Sequence, residues 1–177
     1  MANIPIILDG TDHHSLDEDT DLICKEGKEA EIYKLSDEYA VKIYRDNVID
    51  KTPEQGFNTR MKLLALCSSF SDNVSHFNRN VAFPQKLLYK WCKEFDCIFG
   101  FSMNYFKECY DMGRMSYDPR ISDFKSPASY KFDDNKAVDF IYKLFTIIDL
   151  LHSKLGIIIG DVNLTNILCS DHHNSPI

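Results

Sequence analysis

The chain of 177 residues lacks any apolar run approaching the roughly 20 residues that a bilayer span requires. Its N-terminus also lacks a basic region followed by an apolar stretch, so neither a transmembrane nor a secretory reading is supported. It has no internal repeat and no low-complexity tract. Lys and Arg are outnumbered, 20 against 27 Asp and Glu; the net charge of −7 argues against nucleic acid or an anionic membrane as a main partner. Disorder is excluded by 44% apolar and 12% aromatic residues, and the length suits a domain with a real core. A cytoplasmic protein is expected.

Six cysteines are present, Cys24, Cys67, Cys92, Cys97, Cys109 and Cys169. Cys92 and Cys97 are the closest pair and resemble half of a metal site. No second such pair follows, which favours reduced, partly buried thiols in a reducing compartment. The doublets His13-His14 and His172-His173 lie in polar, turn-like segments away from any cysteine and read as solvated.

Residues 1–21 hold six acids (Asp9, Asp12, Asp17, Glu18, Asp19, Asp21) and no Lys or Arg, which predicts a solvated lead-in with a short strand at Ile4 to Leu8. Strands are predicted at Glu31 to Leu35 and Tyr39 to Arg45, joined through Ser36-Asp37-Glu38. On the second, Ala40, Lys42 and Tyr44 share one face. A small Ala beside that Lys leaves room for a flat base, with the ammonium reaching toward phosphates. Thr52, Pro53 and Gln55 form a helix start, and Phe57, Met61, Leu63 and Leu64 supply an apolar stripe to about Cys67. Strands follow at Gln85 to Trp91 and Cys97 to Met103. Residues 111–132 read as a hinge exit and a long loop. A long helix then spans roughly Asp134 to Ser153, with Val138, Ile141, Leu144, Phe145, Ile148 and Leu151 on one face and Gly156 as its terminator.

Past that helix stands Gly160-Asp161-Val162-Asn163-Leu164-Thr165-Asn166, whose Asp and Asn lie five positions apart. Together with Ala40-Val41-Lys42 upstream, it resembles the protein-kinase-like superfamily over residues 22–177. Gly27-Lys28-Glu29-Ala30-Glu31-Ile32-Tyr33 resembles the nucleotide loop of atypical kinases of the RIO group. Leu151-His152-Ser153 resembles the end of the helix before a kinase catalytic loop. Val81-Ala82-Phe83-Pro84 and Gly100-Phe101-Ser102-Met103 resemble bacterial eukaryotic-like kinases. The resemblance implies an α+β fold: an antiparallel-sheet small lobe with one long helix over residues 22–106, and the beginning of a helical large lobe over 107–177.

It also implies roles. Lys42 pairs with the phosphates of ATP, Asp161 orients the acceptor hydroxyl, and Asn166 holds Mg2+. Gly27, Ala30, Ile32, Ala40 and Met103 complete the nucleotide contacts, and Glu54 is the candidate ion-pair partner of Lys42. Departures are informative. The three glycine slots fall on Lys25, Gly27 and Ala30, so one glycine survives; Asn163 replaces a Lys and Gly160 an Arg. The sequence ends before any Asp-Phe-Gly, and Asp123-Phe124-Lys125 precedes the catalytic loop and is out of order. A fragment of a longer kinase is expected, with a partner or further segment covering the long helix. The implied activity is transfer of the ATP γ-phosphoryl group to a Ser/Thr hydroxyl of a protein. The alternatives are a pseudokinase-like module that binds nucleotide or a partner without turnover, and a small-molecule kinase of the same fold.

Overall fold

Apolar residues alternating with polar turns make seven antiparallel strands of the first hundred residues in the computed structural model. They are β1 (Asn3–Leu8), β2 (Asp12–Asp17), β3 (Leu22–Cys24), β4 (Ala30–Lys34), β5 (Tyr39–Tyr44), β6 (Lys86–Tyr89) and β7 (Ile98–Asn104). The structure describes residues 3–25, 28–50, 52–71, 81–107, 109–111, 134–159 and 166–170. The chain divides into two compact units, Met1–Tyr105 and Phe106–Ile177. The class is α+β, and no helix among the described residues is long and apolar enough to cross a membrane.

The strand order in the sheet is β2-β1-β6-β7-β5-β4-β3. Its two edge strands, β2 and β3, are consecutive in the chain. A flat sheet would separate them by six inter-strand spacings, roughly 29 Å. The link from Asp17 to Leu22 reaches at most roughly 18 Å. The sheet therefore has to curl until its edges approach. Acids build that link: Asp17 accepts from the backbone N–H groups of Asp19 and Thr20 at 2.8 and 3.1 Å, and Asp21 accepts from the Asp17 N–H at 2.8 Å. These donors hold the Asp17 carboxyl below its ordinary range.

The strand expected at Ile4 to Leu8 is present as β1, but the segment is not a solvated lead-in. Ile6, Leu8 and Leu16 are buried among Tyr33, Val41, Leu88 and Phe99, while Ile7 enters a second layer across the sheet. The second half of β1, Ile6 to Leu8, is thus buried on both faces, while Asp9, Glu18, Asp19 and Asp21 lie in turns and bends and Asp12 and Asp17 at the ends of β2. Asp9 and Gly10, at φ 49° and 77°, supply the left-handed turn between β1 and β2.

The second layer joins Ala40, Leu87, Phe101 and Met103 to Leu63 and Cys67 of α2 (Pro53–Ser71). Thr52 caps this helix as expected, accepting from the Gln55 N–H at 3.2 Å. The buried stripe, however, is not the expected one. Phe57, Met61 and Leu64 are exposed, and Gly56, Arg60, Leu63 and Cys67 face inward. Arg60 made this face look polar, yet its guanidinium donates to buried backbone: Nε to Ile98 O at 3.1 Å and Nη1 to Ile49 O at 3.5 Å. Ile49 ends α1 (Asp46–Ile49), a single helical turn.

In the second unit, α3 (Asp134–Leu155) ends where expected: Gly156 at φ 63° donates its N–H to His152 O at 3.1 Å. Its inward residues include Phe140, Leu144 and Leu151, with Phe140 packed on Ile167. Val138, Ile141 and Phe145, expected on the inner face, are exposed. A two-stranded ribbon pairs β8 (Cys109–Asp111) with β9 (Leu168–Ser170).

Candidate functional site

Register decides which expected residues meet. In β5, Lys42 stands opposite Ile32 of β4 and Phe101 of β7. Ala40 stands opposite Lys34 and Met103, and Tyr44 opposite Ala30. Directly opposed residues share a face of the sheet. Ala30, Ile32, Ala40, Lys42 and Met103 therefore converge on one surface, although they come from three strands and span more than seventy residues of sequence.

That surface is graded. Ala40 and Met103 are buried against Leu63, Cys67 and Phe101. Ile32, Lys42 and Tyr44 are half-buried, so the accessible part of the face lies toward the Lys42 end. The Lys42 ammonium stands 5.4 Å from the centroid of the Tyr44 ring. Burial pushes its pKa down, Glu29 opposes that, and Lys62 of α2 adds to it.

Two of these neighbours were not legible beforehand. Glu54 lies exposed in the first turn of α2 and makes no ion pair among the described residues; the acid acting on Lys42 is Glu29, in the link between β3 and β4. The helix contributes Lys62, a second cation, where a carboxylate was expected. Arg45 was missed as well. Its backbone N–H donates to Glu29 O at 3.0 Å and its guanidinium to Lys25 O at 2.8 Å, so one residue holds both ends of the glycine-bearing loop. The same guanidinium reaches Glu31 at 3.4 Å, and Glu31 accepts from Tyr33 at 2.7 Å.

Gly27 and Asp161 lie outside the described residues, as do Asn163 and Gly160. Asn166 is described; it is exposed, two residues ahead of β9. Its amide oxygen is a ligand type suited to a hard cation. A pocket of 420 Å³ lined by Tyr44, Arg45, Lys90, Trp91 and Phe99 opens beside Ile43, whose side chain points away from the Lys42 face. It shares Tyr44 with the candidate nucleotide surface but is lined by none of Ala30, Ile32, Ala40, Lys42 or Met103.

Chemically, the Lys42 surface combines a half-buried ammonium, a nearby second ammonium and an apolar floor. Such a surface suits an anion carrying a flat apolar part. No protein-family model, curated protein or solved structure matches the chain.

Proposed function

We propose that the chain carries the nucleotide-binding site of a protein-kinase-like phosphotransferase. The observation that carries this reading is the convergence of Ala30, Ile32, Ala40, Lys42 and Met103 on one sheet face. The element order strand, strand, strand, helix, strand, strand from β3 to β7 supports a kinase-like small lobe.

In this reading ATP lies on the Lys42 surface with its base toward Ile32, and Lys42 neutralises phosphate charge. Lys62 adds positive potential at the same end. Asp161 accepts the proton of a Ser or Thr hydroxyl on a protein substrate while orienting it toward the γ-phosphorus. Asn166 holds Mg2+, which supplies charge neutralisation at the phosphates. Positioning and electrostatics carry most of the catalysis in such transfers.

A second reading, nucleotide binding without turnover, is favoured by one observation: α2 brings Lys62 rather than a carboxylate to Lys42. Transfer of labelled γ-phosphate to a general protein acceptor separates the two. Turnover abolished by Asp161→Asn, with nucleotide binding retained, supports the phosphotransferase. Binding with no turnover in either protein selects the second reading.

A further inference from the structure

The link between β6 and β7 carries a cluster that the nucleotide reading does not use. Lys90 N–H donates to Cys97 O and Cys97 N–H to Glu94 O, both at 3.0 Å, closing a compact turn around Phe95–Cys97. Within it the sulfurs of Cys92 and Cys97 are 3.0 Å apart. The two thiols and the Glu94 carboxylate place one donor atom each within 4.8 Å of one another. Cys97 is buried, Cys92 half-buried and Glu94 exposed, so the cluster has a dry side and an open side.

We propose that Cys92, Glu94 and Cys97 bind a thiophilic divalent cation of the Zn2+ class, with the fourth position open to solvent. Tetrahedral Zn2+ with sulfur at about 2.3 Å sets its two sulfurs about 3.8 Å apart. The pair therefore has to open by about 0.8 Å, within the reach of side-chain torsions. Hard cations prefer all-oxygen shells and are poorly served by two thiols. Each thiol loses its proton to water as its bond to the metal forms, so one ion releases two protons and the carboxylate binds without releasing any. Because both thiols must lose their protons, affinity climbs with pH. A disulfide would join the same sulfurs but would leave Glu94 without a role and would need an external oxidant. The carboxylate is what favours metal. Occupancy would brace the turn, whose Phe95 ring packs 5.4 Å from Phe57 of α2.

The test is an anaerobic Co2+ titration of the full, reduced chain, followed by displacement with Zn2+. One ion per chain is expected, with a thiolate-to-cobalt charge-transfer band and the intense ligand-field bands of a tetrahedral site. Affinity should rise by up to about 100-fold per pH unit while both thiols are protonated. Cys92→Ser should abolish the charge-transfer band, and Cys24→Ser should leave it unchanged. Because Cys97 is buried, the exposed Glu94→Gln is the more telling variant: it should keep the fold and weaken binding at least about 10-fold. Unchanged affinity in Glu94→Gln would overturn the proposal. So would a reduced chain that takes up no Co2+ while air oxidation links Cys92 to Cys97, an outcome that identifies a redox pair.

Discussion

Replacing Arg60 with Met tests the packing that holds α2 against the Lys42 face. Arg60 is 7% exposed and joins three elements: it donates to Ile98 O of β7, to Ile49 O at the end of α1, and to the Asp50 carboxylate. The Asp50 side chain is 49% exposed, so solvent screens that pair and its share is at most about 1 kcal/mol. The bond to Ile98 O comes from a charged donor in a buried setting, worth about 1.5–3 kcal/mol. The contact to Ile49 O is at the distance limit and adds a fraction of that. Met keeps most of the aliphatic stem and leaves both carbonyls without this donor. The expected loss is about 3 kcal/mol, or a fall in Tm of about 6–12 °C for a chain this size. Urea and thermal unfolding followed by far-UV circular dichroism would measure it, with an unchanged urea slope. Arg60→Lys, which keeps charge but loses the planar fork, should fall between. A loss below about 1 kcal/mol for Arg60→Met would refute the reasoning, since the carbonyls would then have other partners.

Further predictions concern backbone approach, a buried thiol and the acidic link. A Cβ on Gly100 would sit 2.2 Å from the Lys42 carbonyl oxygen, so Gly100→Ala must push β7 from β5; it should cost about 1–3 kcal/mol in urea melts and weaken nucleotide binding. Burial pushes Cys67 from 9.0 up to about 12, favouring the neutral thiol in the folded state. Its contribution is therefore complete below pH about 9 and disappears as pH rises toward 12; unfolding curves across that window should show Cys67→Ala losing the pH dependence that this thiol adds. Asp17 is shifted the other way, so its contribution is present near neutrality and fades in acid; Asp17→Asn should flatten the acid limb of the stability profile.

What was legible in the sequence follows from which signals are local. The hairpin of β4 and β5 was legible because Ser36-Asp37-Glu38 sits between two alternating runs, and Ser36 Oγ does accept from the Glu38 and Tyr39 N–H groups at 3.2 and 3.1 Å. The Thr52 cap and Gly156 stop were legible for the same reason. The β1–β2 hairpin was not. Its acids raise local polarity, while burial of Ile6, Leu8 and Leu16 depends on β1 pairing with β6, about eighty residues away. The stripe on α2 was misplaced because Arg60 buries its charge by bonding to main chain, which periodicity counts as polar. On α3, Phe140 rather than Val138 faces inward, since Ile167 lies against it. At the site, alternation correctly set Ala40 and Lys42 on one face. Glu29, Lys62 and Arg45 needed tertiary structure, because each meets its target through a loop end or a neighbouring helix. Gly27 and Asp161 rest on the sequence resemblance alone.

The central claim is that the Lys42 face takes nucleotide. Calorimetric titration of the chain with ATP, with and without Mg2+, tests it most directly against Lys42→Ala. Lys42 is half-buried, and charge-assisted bonds of this kind are worth about 1.5–3 kcal/mol. Saturable binding by the parent chain is expected, with roughly 10–100-fold weaker binding by a folded Lys42→Ala variant. No binding by the folded parent chain, or equal affinity in the two proteins, would contradict it.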